Sequence, residues 1–149
     1  MSAASEQGGE QGKIVVGVDG SPHSARALAW ALAEARLRRY TLRVVYAFPA
    51  LVSYLGTTAH EYYPQVERDA AEVFERALAD MPEHSDVEVE RALVAGNPAG
   101  ELVEESRRAS LLVVGSRGLG GFRGMLLGSV SMHCVNHAHC PVVVVRDKA

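Results

Sequence analysis

Short unbroken runs of aliphatic, mostly β-branched residues constrain this chain more than any other feature. Residues 13–18, 42–48, 111–114 and 142–145 read this way, and each of the first three leads through a turn into a helical pattern. A strand apolar on both faces must be covered on both faces, which is the situation of a parallel sheet layered between helices. Residues 86–94 differ: Val87, Glu88, Val89 and Glu90 alternate apolar with charged, which places that strand at a sheet edge.

The helices announce themselves by their starts. Ser21 and Pro22 suit the N-cap and first helical position of a helix running to about Arg39, with Ala25, Leu28, Ala29, Leu32, Ala35 and Leu37 on its inner face. Asn97 and Pro98 open another in the same way, with Leu102, Val103 and Ser106 inward. A helix over 66–79 carries Ala70, Val73, Phe74, Ala77 and Leu78 inward, and a last one runs from Gly128 to about His137. Between strand two and the helix at 66 lies a segment, 49–64, with Tyr54, Tyr62 and Tyr63; it is loop-like in pattern and rich in apolar residues. The order β-α-β-α-β-α-β-loop-α-β predicts one α/β domain, an open parallel five-stranded sheet with helices on both faces and right-handed crossovers.

A length of 149 residues fits one domain, expected over 13–146, after a Ser-, Gly-, Glu- and Gln-rich tail at 1–12 expected to be disordered. Fifteen basic against 18 acidic residues leave a net charge of −3, which argues against nucleic acid as a partner. No apolar run is long enough to cross a bilayer, and residues 1–12 lack the apolar stretch of a signal peptide. Cys134 and Cys140 do not make a secreted disulfide scaffold, so a cytoplasmic location is expected.

The chemistry concentrates between residues 113 and 131. Val113 and Val114 end a strand; Gly115, Ser116, Arg117 and Gly118 follow, then Gly120, Gly121 and Gly124, then Gly128, Ser129, Val130 and Ser131 open a helix. Glycines at 115, 118 and 128 let a ligand approach the backbone closely and give access to positive φ. The first amides of a helix have no partner within it and carry partial positive charge, so they attract phosphate. Ser129 and Ser131 add hydroxyl donors, and Arg117 and Arg123 add charge suited to bidentate contact. Ligands of open parallel sheets bind beyond the strand C-termini, where the winding reverses. Were the first and fourth strands neighbours, Asp19 would face this loop across that crevice. The loop is neither a Walker-type P-loop, lacking Gly-Lys-Ser/Thr, nor the dinucleotide fingerprint, which follows a first strand.

Gly115-x-x-Gly118, nine residues, then Gly128-Ser129 resembles the ATP-binding signature of the universal stress protein family. The likeness runs over residues 13–146. It includes Ile14-Val15-Val16-Gly17-Val18-Asp19-Gly20-Ser21, Gly96-Asn97-Pro98 and Cys140-Pro141-Val142-Val143-Val144-Val145. The resemblance implies strand order 3-2-1-4-5, a homodimer formed through the last strand Val142 to Val145, and ATP with magnesium as the bound cofactor. It implies that Asp19, Ala47, Val114 and Gly115 lie at the adenosine end, with Gly17 and Val18 also among the nucleotide-binding residues. It implies that Gly118, Gly128, Ser129, Val130 and Ser131 hold the phosphates, with Arg117 expected among the nucleotide-binding residues from its charge. A stress-response or regulatory protein follows, one that binds without efficient turnover. The alternatives are a slow ATPase, using Asp19 and His23, and a nucleotide-independent interaction module whose contact surface is the 49–64 segment. His133, Cys134, His137, His139 and Cys140 are a dense set of possible metal ligands. Cys134 shares the presumed core face with Val130 and Ala138, pointing away from His133 and His137, so no metal site is expected.

Overall fold

Ile14, Val15 and Val16 are completely buried because their strand is the centre of the sheet. In the computed structural model, which describes residues 11–49, 59–118 and 126–147, β1 (Lys13–Gly17) lies between β2 (Thr41–Phe48) and β4 (Leu111–Gly115). Ile14 stands opposite Leu42 on one side and Leu111 on the other. β3 (Val89–Ala95) flanks β2, and β5 (Val142–Val145) flanks β4, giving the order β3-β2-β1-β4-β5 with every pairing parallel. The alternating segment is thus at one edge, starting at Val89 rather than 86. The last strand is at the other, with all four valines half-buried.

Two layers of helix cover the sheet. α1 (Pro22–Arg38) and α2 (Ala59–Ala79) pack on one face, where Leu28, Leu32, Phe74 and Leu78 meet Ile14, Val16 and Val44. α3 (Pro98–Glu105), extended by a 3-10 turn over Ser106–Arg108, and α4 (Ser129–His137) pack on the other, where Leu102 and Cys134 meet Val15, Leu112 and Val114. Both caps hold: Ser21 Oγ accepts from the Ser24 amide and Asn97 Oδ1 from the Gly100 amide.

Two expectations are corrected. The inner stripe of α1 is Ser24, Ala27, Leu28, Ala31, Leu32 and Ala35, while Ala25 is exposed and Leu37 is 79% exposed. A helix this rich in alanine carries several apolar stripes, and only the sheet decides which is buried. The second helix begins at Ala59, not 66, with Pro64 inside it. A proline there removes one backbone hydrogen bond, so the residues before it carry a weaker helical signal in sequence. The rest of the 49–64 segment, residues 50–58, lies outside the described residues, as do residues 1–10, Gly120, Gly121, Arg123 and Gly124.

Candidate functional site

The winding reverses between β1 and β4, and a pocket of about 420 Å³ opens there, beyond the strand C-termini. The residues expected to bind the nucleotide line it: Gly17, Val18 and Asp19 from the end of β1, Ala47 from β2, and Val114, Gly115, Arg117 and Gly118 from β4 and its loop. Gly128, Ser129, Val130 and Ser131 complete the set from the start of α4. Four separate stretches of chain therefore meet at one place.

On the β1 side, the geometry is set by a small hydrogen-bond knot. Gly20 takes a φ of 83°, which only glycine adopts readily, and turns the chain into α1. Asp19 Oδ1 accepts from the Ser21 amide at 2.8 Å, and the Asp19 amide donates to Ser24 Oγ at 3.2 Å. The carboxylate is thereby held at the pocket wall. Its charge is felt by Tyr46, whose hydroxyl pKa is pushed up first by burial and then by Asp19.

On the β4 side, space rather than φ explains the glycines. Among the described residues, positive φ belongs to Gly20, Gly96 and Arg39, not to Gly115, Gly118 or Gly128. A Cβ on Gly115 would come within 2.9 Å of the His23 backbone, and one on Gly118 within 2.6 Å of Asp19 Oδ2. Gly128, at φ −73°, has room for a Cβ, whose nearest neighbour would be Arg117 Cα at 3.4 Å. The Gly128 amide donates to Ser116 O at 2.7 Å, and the Ser116 amide donates to Val145 O at 3.0 Å, so α4 and β5 both grip the loop.

Gly128 is the N-cap of α4 and offers no side-chain bond to its first turn. The amides of Ser129, Val130 and Ser131 thus have no partner within the helix and form its positive end at the pocket. The Ser131 hydroxyl, read in the sequence as a donor toward phosphate, instead donates to Gly115 O at 2.5 Å and is buried. A donor so close to the end of β4 finds the strand's last carbonyl before it finds a ligand. Arg117 is held at 3.5 Å by Asp147, two residues past β5.

Sequence reasoning missed four lining residues: Ser24, Val45, Pro98 and Leu102. Pro98 had a usable signal, since a helix that starts after a strand starts on this rim. Leu102 needed the tertiary structure: Gly17 leaves the space into which it packs, and a Cβ on Gly17 would sit 2.6 Å from Leu102 Cδ1.

The His and Cys cluster is divided. His133 and His137 place their ring centres 4.4 Å apart on the exposed side of α4. Cys134 is completely buried, and burial pushes its thiol pKa up to about 11. Among the described residues, no three His, Cys, Asp or Glu side chains gather where they would hold a metal ion, and no helix is long and apolar enough to cross a membrane.

The model of the universal stress protein family matches residues 11–146. A universal stress protein of Mycolicibacterium smegmatis is 39% identical over 137 residues, covering 91% of this chain and 46% of the relative. The chain thus spans about half the length of the curated relatives it matches. Among solved structures, a universal stress protein in complex with cAMP is 30% identical with a TM-score of 0.60, covering 91% of this chain and 97% of that one. The universal stress protein of Archaeoglobus fulgidus in complex with dAMP is 25% identical with a TM-score of 0.66, covering 89% and 96%. Sequence match over nearly its whole length and a shared fold agree: this chain belongs to the universal stress protein family.

Proposed function

We propose that this chain binds an adenine nucleotide, ATP with magnesium, in the pocket between β1 and β4. The observation that carries the reading is the meeting of the Gly115–Gly118 loop, the open start of α4 and Asp19 around one pocket. Val45, Ala47, Pro98 and Leu102 offer an apolar wall for a purine. Asp19 offers an acceptor for the ribose or the base edge. Backbone amides of residues 129–131 and the Ser129 hydroxyl hold phosphate, each charge-assisted bond contributing about 1.5–3 kcal/mol. Two structural relatives bound to adenine nucleotides support the same ligand class. Among the described residues, Asp19 is the one carboxylate lining the pocket, which suits a magnesium ion held mainly by the phosphates it arrives with.

The protein is a nucleotide-responsive stress or regulatory protein and turns ATP over inefficiently. His23, the candidate partner of Asp19 in hydrolysis, is bonded to Asp147 at 3.1 Å. The binding unit is residues 13–146, acting in the cytoplasm, where two free thiols suit a reducing setting. It works as a homodimer joined through β5, whose outer edge pairs with no other strand among the described residues.

The test is to denature purified protein and run the supernatant on an anion-exchange column, then titrate stripped protein with ATP and magnesium by calorimetry. Near one adenine nucleotide per chain, or a clear heat of binding, is expected. Gly128→Ala should weaken it, because the free protein has room for the added Cβ, which a phosphate approaching the helix start would meet. No nucleotide in the supernatant together with an unmoved melting temperature in millimolar ATP would refute the reading. Phosphate release well above that of an Asp19→Ala variant would overturn the inefficient turnover, and sedimentation as a monomer at tens of micromolar would overturn the dimer.

A further inference from the structure

Asp147 is two residues past the end of β5, yet two guanidinium groups and an imidazole from two other parts of the chain converge on it. His23 Nδ1 lies 3.1 Å from Oδ1, and Arg26 bonds the same oxygen. Arg117 Nη2 reaches the other oxygen, Oδ2, at 3.5 Å. The carboxylate therefore bridges the first turns of α1 to the loop that lines the pocket. Burial would raise the Asp147 pKa, but the charges of Arg26 and His23 outweigh it and hold it below the usual carboxylate value. The side chain is an anion in a ready-made cationic seat.

The seat is continuous with the pocket. Arg117 lines the pocket directly, and the backbone of His23 lies against Gly115. The Ser116 amide donates to Val145 O, so loop and C-terminal segment travel together up to that point. Among the described residues, Arg117 is also the one cation lining the pocket. An incoming phosphate and Asp147 thus want the same guanidinium.

We infer that Asp147 is an internal competitor of the ligand's phosphates: it occupies Arg117 when the pocket is empty, and a phosphate-bearing ligand must take Arg117 from it. The inference rests on the nucleotide reading above and adds a regulation to it. The carboxylate sets the affinity for phosphate while leaving the affinity for the nucleoside alone. Ligand binding loosens the clasp between α1, the glycine loop and the segment just beyond β5, so the occupied state differs from the empty one at the sheet edge. The ligand chemistry is an anionic phosphate on an adenosine, with the effect growing with phosphate charge.

The experiment is calorimetry with ATP, AMP and adenosine on four full-length proteins: wild type, Asp147→Asn, Arg117→Ala and the double variant. Asp147→Asn should bind ATP about two- to fivefold more tightly, the range open to a partly exposed ion pair. AMP should gain less and adenosine nothing. In the Arg117→Ala background the gain from Asp147→Asn should vanish, which separates competition for Arg117 from a general change of field. Asp147→Ser repeats the measurement should the amide variant fold poorly. Equal ATP affinity in wild type and both Asp147 variants, or the same gain with and without Arg117, would overturn the inference while leaving nucleotide binding intact. Absence of any heat with ATP in all of the proteins would refute both.

Discussion

Gly118 approaches Asp19 so closely that a Cβ on the glycine would stand 2.6 Å from the aspartate's Oδ2. Two residues nearly a hundred positions apart in sequence thus form opposite lips of one pocket. The contact exists because β1 and β4 are neighbours and both end at the same rim.

Gly118→Ala drives its methyl against the Asp19 carboxylate, and Asp19 Oδ1 is already committed to the Ser21 amide. The side chain must rotate away from the pocket wall. We expect at least a tenfold loss of ATP affinity by calorimetry with a melting temperature lowered by no more than a few degrees. Full affinity in this variant would show that Asp19 is not held where the ligand needs it.

Ser131→Ala removes the hydroxyl that donates to Gly115 O from a buried position. The carbonyl loses its donor, and the tie between α4 and the end of β4 is cut. A loss of about 1 kcal/mol is expected in urea unfolding. Nucleotide affinity should fall as well, since the same tie positions the open start of α4. A variant as stable as wild type would mean that Gly115 O finds another donor.

Cys134 is completely buried, and its thiol pKa stands at about 11. The folded state therefore prefers the neutral thiol relative to the unfolded state, whose thiol titrates near the ordinary value of about 8.5. The resulting stability is fully present below the unfolded value and is lost as pH rises from there through about 11. Unfolding free energy should fall over this range more steeply than in Cys134→Ala. Native protein at pH 8 should also protect this thiol from an alkylating reagent, with full labelling only in denaturant.

Leu102→Ala touches both the core and the pocket. Leu102 is 4% exposed, packs in the space left by Gly17, and lines the pocket wall. The truncation should cost about 2–5 kcal/mol, within the usual range for a buried leucine. A weaker affinity for adenosine, with the advantage of ATP over adenosine unchanged, would place Leu102 at the purine rather than at the phosphates. Equal losses for ATP and adenosine are the expected calorimetric result.

Much of this architecture is written locally. Valine and isoleucine runs such as residues 14–16 have no stable fate but a strand covered on both sides, and Ser21-Pro22 and Asn97-Pro98 start helices through bonds that span only three residues. The strand order was legible only through family resemblance, because nothing in a run of valines says which other run lies beside it. The glycines were legible as a loop, but their reason was not. Positive φ is needed at Gly20, whereas Gly115 and Gly118 are needed for distances to His23 and Asp19.

The sequence by itself determined the five strands, the starts of α1 and α3 at their Ser-Pro and Asn-Pro caps, and the glycine-rich segment that supplies the pocket, since short-range sterics and hydrogen bonding suffice for each. Tertiary structure alone decided which face of the alanine-rich α1 is buried, brought Leu102 against Gly17, and turned the Ser131 hydroxyl to Gly115. It alone carried Asp147 to His23, Arg26 and Arg117. Each of these depends on packing between elements distant in the chain, where side-chain volume and charge select one arrangement out of many that local preference allows.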